Sequence, residues 1–154
     1  MRVARDAVTP VFAEGHTFEI GKAAVVRDGA GITLISTGVQ TSRVVEAAEL
    51  LAADGVDARV IHLATIKPLD EDALLQLIAD EPHVITVEDH SRIGGLGGLL
   101  AEIVSERGTT RLTRIGLADH WSESAPNDFL LNKYGLSAAK VAEQIKAGLL
   151  APVG

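Results

Sequence analysis

The sequence predicts an α/β fold in which a mostly parallel sheet carries helices on both faces, and three observations point to it. From residue 22 onward, short β-branched apolar runs alternate with segments whose apolar residues recur at helical spacing, the rhythm of successive strand and helix units. The runs "ITLIS" and "VITV" show little polar alternation, as strands buried on both faces require. The link Asp28-Gly29-Ala30-Gly31 between the first two strands is too short for a parallel crossover, which takes about a dozen residues or more, so the first strand runs antiparallel to the next. Whether those two strands pair directly stays open.

The elements follow in order. "KAAVVRDG" (22–29) and "GITLIST" (31–37) are the first two strands. In "VQTSRVVEAAELLAADG" (39–55), Val44, Val45, Ala48, Leu51 and Ala52 share a helical face, with Thr41 or Ser42 able to cap the start and Gly55 past the end. "VDARVIHL" (56–63) is a strand. "DEDALLQLIADE" (70–81) is a helix with Asp70 at the N-cap and acids in its first turn, where the helix dipole favours them. "HVITVED" (83–89) is a strand, "LGGLLAEIVSERG" (96–108) a helix, "RLTRIGL" (111–117) a strand, and "SAAKVAEQIKAGLL" (137–150) an amphipathic helix capped by Ser137. The first 21 residues show neither period and form a lead-in; residues 22–154 form the domain.

Composition narrows the partners. The chain has 154 residues, 47% hydrophobic and 23% charged, with net charge −7, which suits one soluble domain and gives no basic patch for nucleic acid. There is no cysteine, hence no disulfide framework or thiolate zinc site. No apolar run approaches the roughly 20 residues of a membrane span, and the N-terminus lacks the apolar core of a signal peptide. The expected location is the cytoplasm.

In sheets of this kind ligands sit beyond the carboxyl ends of the strands, which here carry "STG" (36–38), "LATIKPLD" (63–70), "EDHSRIGG" (88–95) and "ADHWSES" (118–124). The glycines Gly94, Gly95, Gly97 and Gly98 resemble a dinucleotide fingerprint, but its third glycine falls on Leu100 and the segment follows a late strand. Tight turning and close packing explain them better, although the N–H groups at the helix start remain able to attract an anion. Glu88 and His90 alternate with Asp89 along the strand, so the two are expected to share a side. A carboxylate beside an imidazole suits acid/base work, yet no HxxxH or ExxH ligand pair accompanies it and the other histidines are spread singly. A polar strand end that meets a neighbouring domain or subunit is the expected role of Glu88 and His90, with no metal site. Arg5 is able to hold an anion bidentately.

Taken together, "IKPLD", "VEDHSRIGGLGGLLAEIV", "RIGLADHWSES" and "LLNKYGLSAAKVAEQI" resemble the C-terminal domain of transketolase, which also closes deoxyxylulose-phosphate synthase and the β subunits of 2-oxoacid dehydrogenases. The resemblance implies a three-layer α/β/α sandwich on a five-stranded mixed sheet with its first strand antiparallel. It further implies a part of a split enzyme that transfers ketol groups between sugar phosphates. Thiamine diphosphate and Mg²⁺ would be held by upstream domains or an N-terminal subunit and none by this chain alone, which would be inactive by itself. The domain would serve assembly, as a homodimer. In "ARDAVTP" Arg5 matches the arginine with which the family holds substrate phosphate, with Ala4 where the family has serine. The catalytic residues would lie elsewhere. Two other readings are an independent module binding a nucleotide or other anion at Gly94, Gly95 and Gly97, and the end of a 2-oxoacid dehydrogenase β subunit.

Overall fold

A computed structural model describes residues 7–108 and 110–150. Five strands, β1 (Ala23–Arg27), β2 (Ile32–Ser36), β3 (Ala58–Leu63), β4 (His83–Ser91) and β5 (Arg111–Leu117), form one sheet in the order β1-β3-β2-β4-β5. β1 is antiparallel to β3, and the remaining pairs are parallel. The reversed first strand is as expected; its partner is β3 rather than the strand that follows it. The turn after β1 is tied to the start of β3, where Arg27 pairs with Asp57 at 3.1 Å and Ala30 N–H donates to the same carboxylate at 3.0 Å.

Helices α1 (Gln40–Ala53), α2 (Glu71–Ile78), α3 (Leu96–Arg107), α4 (Asn127–Lys133) and α5 (Ala138–Leu150) complete the chain. On one face of the sheet, Leu34, Val60, Ile85 and Val87 pack with Val44, Ala48 and Leu51 of α1 and Val141 and Ile145 of α5. On the other, Ile35, Ile61, Leu63 and Val84 pack with Leu74 and Ile78 of α2 and with Leu96 and Leu100 of α3. Successive strand residues feed opposite cores, which is why β2 is buried at all five positions. The result is the expected three-layer sandwich.

Two details depart from the sequence reading. Neither Thr41 nor Ser42 caps α1. The helix begins at Gln40 after Val39, so both hydroxyls sit inside the first turn, where Thr41 Oγ1 bonds His62 Nδ1 at 2.7 Å and Ser42 Oγ donates to the Val39 carbonyl at 3.0 Å. Helix α4 was also not expected; none of its residues is fully buried. Asp70 does cap α2, accepting from Ala73 N–H at 2.9 Å.

Candidate functional site

The strand order places a switch point between β2 and β4: the connection leaving β2 runs to β3 on one side, and that leaving β4 runs to β5 on the other. Crevices at such points commonly receive phosphate-bearing ligands. Here the crevice is closed from within. Glu88, near the end of β4, is 1% exposed, and its carboxylate accepts the N–H groups of Leu96 at 2.7 Å and Gly97 at 2.8 Å. The carboxylate sits where the partial positive charge of the α3 N-terminus favours an anion.

This arrangement corrects two expectations. Glu88 does not reach out to a neighbouring domain, because it is buried under the corner. The helix start that Gly94, Gly95 and Gly97 opened to an outside anion is taken by the chain's own carboxylate, and a phosphate brought there would meet a buried negative charge. Gly95 and Gly97 are required for packing. A Cβ on Gly95 would overlap Glu88 Oε2 and lie 2.6 Å from the Ser91 carbonyl; one on Gly97 would lie 2.8 Å from Thr86 Oγ1. Gly94 has φ +70°, the left-handed turn that brings the chain round into α3.

Past Glu88 the strand opens to solvent. The β4–β5 register shifts between Val87 and Ser91, so simple alternation stops holding there. His90 Nδ1 lies 2.9 Å from the carboxylate of its neighbour Asp89. The tip is fastened by Arg114, which donates to the Arg92 carbonyl at 3.2 Å, and by Ile93 N–H on Ser91 Oγ at 3.1 Å.

A second cluster at the same edge joins residues far apart in sequence. His62 points from β3 toward Thr41, and the ring of Phe12 from the lead-in stands edge-on to it at 5.5 Å. His16 stacks on Phe12 at 3.9 Å. Burial, and secondarily the neighbouring His16, hold His62 below its ordinary 6.5. This cluster is absent from the sequence reading, where each histidine stands alone; the Phe12 and His16 pair four residues apart was its sole local signal. Arg5 lies outside the described residues.

Elsewhere, a hollow of about 440 Å³ between α2 and the end of α3 has Asp72 and Arg107 on its rim, already paired with each other. Among the described residues no three His, Asp or Glu side chains gather at metal-ligating separation, and no helix is long and apolar enough to cross a membrane. With its helix start filled by Glu88, the corner does not fit a magnesium diphosphate.

A mixed five-stranded sheet between two helical layers, with a reversed edge strand and a self-capped glycine corner at the switch point, defines the class of fold. The family model described as "Transketolase, C-terminal domain" matches residues 21–141, and the chain belongs to that family. It is 41% identical over 133 residues to the Methanocaldococcus jannaschii protein named for a transketolase C-terminal section, covering 86% of this chain and 41% of that one. It is 36% identical to the 6-deoxy-6-sulfo-D-fructose transketolase subunit SqwH of Clostridium sp., over 92% of this chain and 44% of the relative. A solved structure described as "Split gene transketolase, inactive beta4 tetramer" superimposes with a TM-score of 0.86 at 37% identity, over 94% of this chain and 48% of that chain. The chain thus spans less than half the length of these relatives.

Proposed function

We propose that the chain is the C-terminal part of a transketolase-type enzyme acting in the cytoplasm. In this reading, upstream domains or an N-terminal subunit hold thiamine diphosphate and Mg²⁺ and transfer two-carbon ketol groups between sugar phosphates, while this domain supports assembly, including pairing with a second copy. The observation that carries it is the character of the carboxyl edge. Its crevice is occupied by Glu88, yet the segments along it hold exposed apolar side chains: Phe18 (57%) and Ile20 (71%) before β1, Ile93 (64%) after β4 and Trp121 (100%) after β5. An edge that is closed to small anions and rich in exposed apolar groups suits a protein partner. The names of two relatives, a transketolase C-terminal section and a transketolase subunit, support the same reading.

Arg5 is the residue of this chain assigned to substrate, as a contact to its phosphate. The independent anion-binding module loses its main support, since its helix start is filled. The test is reconstitution: the chain is mixed with the upstream thiamine-diphosphate-binding domains from the same genome, and ketol transfer is assayed with cofactor and Mg²⁺. Activity that appears only in the mixture supports the reading; upstream domains equally active alone contradict it.

A further inference from the structure

The lead-in is fastened to the domain at two places of different chemistry. At its end the joint is hydrogen-bonded and ionic: Asp70 N–H donates to the Gly21 carbonyl at 2.9 Å, and Lys22 pairs with the Asp70 carboxylate. Farther upstream the joint is aromatic. A turn closed by His16 N–H on the Ala13 carbonyl at 3.2 Å, with Gly15 at φ +86°, folds the His16 ring back onto Phe12. Phe12 in turn meets His62. Phe18 and Ile20, both exposed, lie between the two joints.

We propose that Phe12, His16 and His62 form a pH-sensitive clamp that holds the lead-in against the carboxyl edge of the sheet and releases it when His62 takes a proton. The groups around His62 are the Thr41 hydroxyl from α1, Ser36 as its register partner on β2, Ala24 as its partner on β1, and Phe12 and His16 from the lead-in. Among these His16 is the titratable one, and none is a carboxylate able to stabilise an imidazolium. Thr41 can serve as donor or acceptor to Nδ1, so the hydroxyl does not set the protonation state. Burial does, and it disfavours the charged ring.

The sign follows from linkage. His62 is held below 6.5 while clamped, so the released state binds a proton first as the pH falls. The clamp is therefore fully favoured above about 6.5 and weakens as the pH drops below that value toward the clamped one. Release would let Phe18 move with the lead-in and so reshape the apolar edge, while the joint of Gly21 and Lys22 with Asp70 stays closed. This inference does not depend on the enzymatic reading.

The test is ¹⁵N relaxation of the full chain at pH 8 and pH 5, with β2 amides as the internal sign that the domain stays folded. The expected result is a lead-in (residues 8–19) as rigid as the sheet at pH 8 and mobile on the nanosecond scale at pH 5. His16→Phe, which keeps a ring on Phe12 without a titratable group, should retain this response, and His62→Gln should remove it. Should His62→Gln fail to fold, Phe12→Leu should leave the lead-in mobile at both pH values. A lead-in equally rigid at pH 8 and pH 5, a pH response that survives in His62→Gln, or a rigid lead-in in Phe12→Leu would overturn the proposal.

Discussion

Glu88 and Gly95 fit together only because residue 95 has no side chain: a Cβ there would overlap the Glu88 carboxylate that caps α3. Gly95→Ala must therefore push aside both the buried Glu88 carboxylate and the Ser91 carbonyl, and overpacking of this kind costs about 1–3 kcal/mol. Gly98 is the contrast, since a Cβ there would meet nothing within 4 Å inside the same helix. Gly98→Ala should stabilise by about 0.4–1 kcal/mol through the loss of unfolded-state freedom. Urea unfolding of the two variants measures both, and equal effects would remove the distinction between them.

Glu88→Gln keeps the shape of the cap and discards its charge. One of the two helix N–H groups then faces an amide N–H₂ or loses its partner, a loss of about 1.5–3 kcal/mol for a charged hydrogen bond. Unfolding at neutral pH should register that loss; an unchanged midpoint would mean that Glu88 does not carry the corner.

His83 begins β4 at the opposite edge, 7% exposed, with Nε2 2.8 Å from Thr113 Oγ1. Burial, and then the nearby Arg111, hold it below its ordinary 6.5. The unfolded chain takes up this proton first, so stability rises with pH and is lost as the pH falls below about 6.5. Urea midpoints compared at pH 7.5 and pH 5 should fall further for the natural chain than for His83→Gln. Identical falls would place the sensitive group elsewhere.

In the reconstituted enzyme, Arg5→Ala should raise KM for a phosphorylated substrate by roughly ten- to a hundredfold, the worth of one charged hydrogen bond, and change kcat far less. A substrate without phosphate should show no difference. A fall in kcat at constant KM would assign Arg5 some other role.

The order of strands and helices was legible because each carries its own period, and the four-residue link after β1 dictated that strand's direction. The pairing of β1 with β3 was not, since nothing local says which neighbour a reversed strand will choose. Helix α4 escaped notice because its seven residues bury no side chain fully and so show no apolar stripe. The glycines of the corner announced close packing, but not that Glu88, eight residues before the helix start, would fill it. The clamp was still less visible: Phe12, with His16 stacked on it, meets His62 only after the lead-in crosses the sheet edge.

In the proposed function this domain completes an enzyme through its apolar carboxyl edge. The most direct measurement is a titration of a fixed amount of the upstream domains with this chain, following ketol transfer and the mass of the complex together. Activity should rise to a plateau as a defined complex forms, with a much weaker response from the double variant Ile20→Glu, Ile93→Glu at the exposed edge positions. Activity independent of added chain, or a plateau unmoved by the double variant, would contradict it.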